Sequence, residues 1–140
     1  MNVLFVCEGN VNRSPMAAAF LHALVPSAGI RTAGTAVLLE REGKLVASFS
    51  MNAIDAMREV GLDMSASVMR QVTAEMADWA DVIVLMEPAV PTPDFLLHSP
   101  KVERWDVPDP GDRKEVTHAV ARDLIEGKVR EFALRLASSA

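Results

Sequence analysis

An α/β fold, with a parallel sheet covered by helices on both faces in three layers, is the class this sequence predicts. The first observation is alternation: segments of strand character and segments of helical character take turns along the chain, which builds parallel sheets. The second is the apolar run Val3-Leu4-Phe5-Val6, of the kind a buried strand carries. The third is size. At 140 residues, half of them hydrophobic, the chain is long enough to bury a proper core and reads as one domain over 1–140.

Strands are expected near 2–6, 29–33, 82–86 and 102–106, and helices near 15–24, 51–60, 73–79 and 113–137. For the first helix, Ser14 offers an N-cap hydroxyl and Pro15 suits the first helical position. The second, opening at Ser50-Met51, shows apolar 3.6 spacing and a stop at Gly61. Pro88 to Pro100, dense in proline, reads as one surface connection. The last helix places Val116, Val120, Leu124, Val129, Phe132 and Leu136 on one face, and Gly127, which costs about 1 kcal/mol, marks a bend.

Composition excludes several functions. The net charge of −5 with no basic stripe argues against nucleic acid. There is no apolar run of membrane-spanning length and no charged-then-apolar leader, so no membrane partner is expected. A lone cysteine rules out a disulfide framework and suits a reducing cytosol, so a cytoplasmic location is expected. His22, His98 and His118 are dispersed, with no ligand spacing, so neither metal nor cofactor is expected. His22 and His118 fall on solvated helix faces, and pairs such as Arg41/Glu42 read as solvated surface. Trp79 and Trp105 read as packing residues.

The stretch that carries chemistry is Cys7-Glu8-Gly9-Asn10-Val11-Asn12-Arg13, followed by Ser14-Pro15. It runs from the end of a buried strand into a helix. A helix N-terminus carries unpaired N–H groups and about half a positive charge, so an oxyanion binds there. Gly9 and Asn10 tolerate positive φ and can turn successive amides toward one point. Arg13 adds a planar fork for two phosphate oxygens. The same field favours the thiolate of Cys7, and Ser14 is placed to donate to it. A thiolate beneath a phosphate cradle of residues 8–14 predicts covalent catalysis through a cysteinyl-phosphate.

A later loop, Trp105-Asp106-Val107-Pro108-Asp109-Pro110-Gly111-Asp112, follows the fourth strand. In an open parallel sheet functional loops share the carboxyl rim, so this loop and the Cys7 loop belong together. Its three aspartates compete for an acid role. Asp112 suits a cap of the last helix and Asp106 the strand end, and spacing alone does not choose among them.

The run from Cys7 to Pro15 resembles the phosphate loop of the low-molecular-weight protein tyrosine phosphatases. The likeness continues through Thr32-Ala33-Gly34-Thr35, Gly61-Leu62-Asp63-Met64-Ser65, Arg70-Gln71-Val72-Thr73, the strand Val82 to Met86 and Asp109-Pro110. It implies a four-stranded parallel sheet of Rossmann-like, flavodoxin-like type. It also implies a phosphatase acting on protein phosphotyrosine or a small aryl phosphate, as monomer or weak dimer. Of the three aspartates it selects Asp109, as the acid that protonates the leaving oxygen and then activates water. Thr32 takes the place of a supporting serine.

This chain departs from that pattern in five places. Asn12 stands where many members have a second, protective cysteine, leaving Cys7 open to further oxidation. Glu8 is usually uncharged in relatives and is expected to point outward, toward the substrate's surroundings. Ser67 replaces a histidine of the supporting network. Gly111-Asp112 replaces aromatic residues that wall the phosphotyrosine slot, leaving Val11 and Val37-Leu38-Leu39 to supply one side. Val11 replaces a threonine found in phosphoarginine phosphatases, favouring aryl phosphate. Phosphoarginine hydrolysis, external-thiol-dependent arsenate reduction and non-catalytic phosphate binding stay open as alternatives on the same fold.

Overall fold

The computed structural model describes residues 1–111 and 116–139. Its strands are β1 (Asn2–Cys7), β2 (Gly29–Gly34), β3 (Val82–Glu87) and β4 (Val102–Asp106). They form a sheet in the order β2-β1-β3-β4 with every pairing parallel. Register is set by Cys7 opposite Gly34, Val6 opposite Leu85 and Glu87 opposite Asp106. The helices are α1 (Arg13–Leu24), α2 (Met51–Arg58), α3 (Ala74–Trp79), α4 (Asp94–Leu97) and α5 (His118–Ser139).

Alternation along the central strands divides the core. Val3, Phe5 and Cys7 of β1 join Val84 and Met86 of β3 on the face that α1, α2 and α5 cover. Leu4, Val6, Ile83 and Leu85 point the other way, onto α3 and α4. An aromatic cluster sits at the centre of the first layer: Phe5, Trp105 and Phe132 have ring centroids 5.8–6.3 Å apart. Trp105 is thus a packing residue, its Nε1 donating to Glu103 at 2.8 Å.

After β2 the chain crosses to the far side of β1 to lay down β3. The loops leaving β1 and β3 therefore diverge, opening a crevice at the carboxyl ends of those strands. That topology places the Cys7 loop at the mouth of a cleft.

Several local expectations need correction. Helix α1 begins at Arg13, with Asn12 as the N-cap residue and no side-chain cap bond. Ser14 is the second helical residue and not the cap; its hydroxyl is held in the loop below. Pro15 is third, where its missing N–H is one of the donors a helix leaves unpaired. Helix α2 ends at Arg58, before the expected 60, because Gly61 (φ 81°) closes it, with Leu62 N donating to Met57 O. Four residues of the proline-rich connection form α4, whose Leu96 is buried in the second layer.

The last helix buries a different stripe from the one expected. Ala121, Ile125, Val129 and Phe132 face the core, while Val120 and Leu124 lie on the exposed side. Two apolar stripes run one position apart at its start, and the buried one is continuous with Val129 and Phe132. Helix α5 runs through Gly127. Residues 113–115 of the expected helix lie outside the described residues.

Candidate active site

The Cys7 loop is anchored through its first carbonyls, while the amides that follow are unpaired. Thr35 N donates to Cys7 O, and Ala36 N to Glu8 O, both at 2.9 Å. Among the described residues, none accepts a hydrogen bond from the amides of Gly9 to Arg13. Such a set of unpaired donors at the start of α1 is the arrangement that an oxyanion could bind. Asn10 supplies the one left-handed turn (φ 57°); Gly9 is not in that region. The asparagine serves because its short amide bonds back to the loop.

Asn10 is fully buried and spans the loop, donating from Nδ2 to Ser14 Oγ (2.8 Å) and accepting at Oδ1 from Arg70 N (2.8 Å). Ser14 Oγ is 3.0 Å from Cys7 Sγ. With Asn10 donating into the hydroxyl, the serine hydrogen has two acceptors in reach, Cys7 Sγ at 3.0 Å and Ala33 O at 3.5 Å, and the sulfur is the nearer. Thr32 sits on β2 opposite Phe5, and the contacts of Asn10 go to Ser14 and the Arg70 amide. Close approach explains the glycine that ends β2. A Cβ on Gly34 would lie 2.7 Å from Glu8 O and 2.7 Å from Val37 Cγ2.

Arg13 is 1% exposed and does two jobs. Its NH1 donates to Met86 O (3.1 Å) and Val107 O (3.0 Å), tying the ends of β3 and β4 together. Its NH2 lies 3.6 Å from Asp109 Oδ2. The other oxygen of Asp109 accepts from Gly111 N at 2.9 Å and Asn12 Nδ2 at 3.3 Å. A cavity of about 590 Å³ has Cys7, Glu8, Gly9, Val11, Asn12, Arg13 and Asp109 in its wall. Asp106 is exposed and outside that wall, and Asp112 lies outside the described residues.

Glu8 lines the cavity, yet one carboxylate oxygen accepts from Val90 N at 2.9 Å, anchoring the loop after β3. From Val37-Leu38-Leu39 only Leu38 reaches the cavity; Val37 packs on the core and Leu39 faces solvent. Three groups read as surface, or left unremarked, also line it: Arg41, Phe49 and His118. The Arg41 guanidinium lies over the Phe49 ring, 4.9 Å from its centroid. Burial holds the His118 imidazole below the ordinary histidine range, against the opposing charge of Asp109. The sequence signal for Arg41 and Phe49 was their place between β2 and α2, on the carboxyl rim where site loops gather. No local signal marks His118.

A family profile described as low molecular weight phosphotyrosine protein phosphatase matches residues 2–140. The low molecular weight protein-tyrosine-phosphatase Etp of Escherichia coli K12 is 26% identical over 145 residues, covering 96% of this chain and 94% of its own. An arsenate reductase of Brevibacillus brevis is 28% identical over 138 residues, covering 94% and 92%. The YwlE arginine phosphatase of Geobacillus stearothermophilus superposes with a TM-score of 0.77 at 28% identity, over 99% of this chain and 94% of the other. The chain belongs to the low molecular weight phosphotyrosine protein phosphatase family.

Proposed function

We propose that this member of the family hydrolyses aryl phosphate monoesters, protein phosphotyrosine first among them, through a cysteinyl-phosphate on Cys7. The observation that carries the reading is one cavity holding a serine-bonded thiol at its floor, unpaired amides around it and a braced carboxylate in its wall. Cys7 Sγ attacks phosphorus as the bond to the leaving oxygen breaks, and Asp109 gives that oxygen its proton. The amides of residues 8–13 and the free edge of Arg13 hold the equatorial oxygens. In the second step Asp109 takes a proton from water as the water oxygen displaces the thiolate, which Ser14 Oγ stabilises by donating to it.

The slot favours an aromatic leaving group. Val11, Ala36 and Leu38 give it apolar walls, and Phe49 supplies the ring that Gly111 does not. Val11 offers no hydroxyl to a guanidinium, which sets this chain toward aryl rather than arginine phosphate. We place the enzyme in the cytoplasm as a single domain over 1–140, monomeric or weakly dimeric. The test is hydrolysis of phenyl phosphate in EDTA between pH 5 and 8. Wild type turns over and Cys7→Ser does not; folded, reduced wild type that is inactive on it would refute the reading. Phosphoarginine and arsenate, run alongside, identify the alternative chemistry in that case.

A further inference from the structure

We propose that Asn12 is a positioning residue for the acid, its carboxamide orienting Asp109 so that Oδ2 is the oxygen that carries and delivers the proton. This rests on the reading of Cys7 and Asp109 given above.

The lone pairs of Asp109 decide which oxygen that is. A carboxylate oxygen has two in-plane acceptor sites, and on Asp109 Oδ1 both are taken, by Gly111 N (2.9 Å) and Asn12 Nδ2 (3.3 Å). A proton placed on Oδ1 would displace one of those donors. Oδ2 faces Arg13 NH2 at 3.6 Å, beyond hydrogen-bond reach, and keeps its lone pairs for a proton. Removing Asn12 leaves Oδ1 with a vacant site and that oxygen held by Gly111 N alone.

The rest of the contact is built for this pairing. Asn12 is nearly buried, and its Oδ1 has no partner among the described residues. The reversed amide would set that oxygen against the carboxylate, so Asp109 decides which way the amide points. A Cβ on Gly111 would lie 3.3 Å from Asp109 Oδ1 and 3.4 Å from Asn12 Nδ2, so a residue without a side chain leaves the contact its room. Asn12 directly precedes Arg13, so the bond ties the acid, 97 residues away, to the phosphate cradle itself.

The experiment compares kcat/KM on phenyl phosphate, whose leaving group needs a proton, with 2,4-dinitrophenyl phosphate, whose leaving group does not. Asn12→Ala is expected to lose about tenfold on phenyl phosphate, as for a charge-assisted hydrogen bond, and to stay within about twofold on the dinitrophenyl ester. In an Asp109→Ala background, adding Asn12→Ala is expected to change neither. Equal losses on both esters, or a further loss in the double variant, would assign Asn12 to phosphate binding or to loop structure and overturn the proposal. Gly111→Ala, which presses on the same bond without leaving a cavity, is expected to show the same leaving-group split in smaller measure and serves if Asn12→Ala does not fold. Wild type inactive on both esters would overturn the phosphatase reading and this one together.

Discussion

Replacing Arg13 with lysine tests whether this side chain is a structural tie as well as a phosphate ligand. Its NH1 bonds two carbonyls, Met86 O and Val107 O, at the ends of neighbouring strands, and the guanidinium is buried. A lysine ammonium is a point donor on a flexible stem; it can reach one of those carbonyls only by leaving the phosphate edge. Each such bond to a charged donor contributes about 1.5–3 kcal/mol, and an orphaned buried carbonyl costs a similar amount. Arg13→Lys should therefore lose about 2–4 kcal/mol, a fall in Tm of roughly 6–15 °C for a chain of this size. The assay is a thermal melt with and without inorganic phosphate. At a hundred times its Kd, phosphate stabilises wild type by about 2.7 kcal/mol, and the variant should lose most of that shift. A variant that melts within about 2 °C of wild type without ligand would refute the structural half of the argument.

Three further predictions follow from the same geometry. Gly34→Ala drives a Cβ against Glu8 O and Val37, so it should cost about 1–3 kcal/mol and lower kcat/KM by displacing the phosphate loop, read by melts and aryl phosphate hydrolysis. Phe49→Ala removes the aromatic wall, and KM for phenyl phosphate should rise about fivefold while the inhibition constant of inorganic phosphate holds. His118 has its pKa lowered by folding, so the unfolded chain protonates first as pH falls through about 6.5. The stability this group contributes is present above that pH and lost below it, as pH falls through the folded value. The Tm of His118→Gln should therefore decline less than that of wild type between pH 7.5 and 5.

The strands were legible because an apolar run between turn residues is a local signal. The loop was legible as a strand-to-helix connection because Gly9 and Asn10 are turn-forming residues and Pro15 suits a first helical turn. Local signals also misled. Ser14-Pro15 has the composition of a cap, but the helix starts two residues earlier than such a cap implies, and the serine hydroxyl is held by Asn10 and Cys7. Two apolar stripes begin α5, and only tertiary packing chooses Ala121 and Ile125 over Val120 and Leu124. What lay beyond the sequence was contact across long separations. Glu8 bonding Val90, Asn12 bonding Asp109 and Phe49 facing the loop join segments whose spacing carries no period. Asp109 stood out from Asp106 only by resemblance; in the fold Asp109 lies in the cavity wall and Asp106 faces solvent, a placement no local signal carries.

The most direct measurement is a rapid quench of Asp109→Ala with 2,4-dinitrophenyl phosphate, followed by mass spectrometry of the peptide that holds Cys7. The good leaving group lets the thiolate be phosphorylated while loss of the base slows hydrolysis. One phosphoryl group is expected on Cys7, absent from the Cys7→Ala control. Steady turnover by wild type with an unmodified Cys7 peptide in the quenched variant, or a phosphoryl group on another residue, would contradict it.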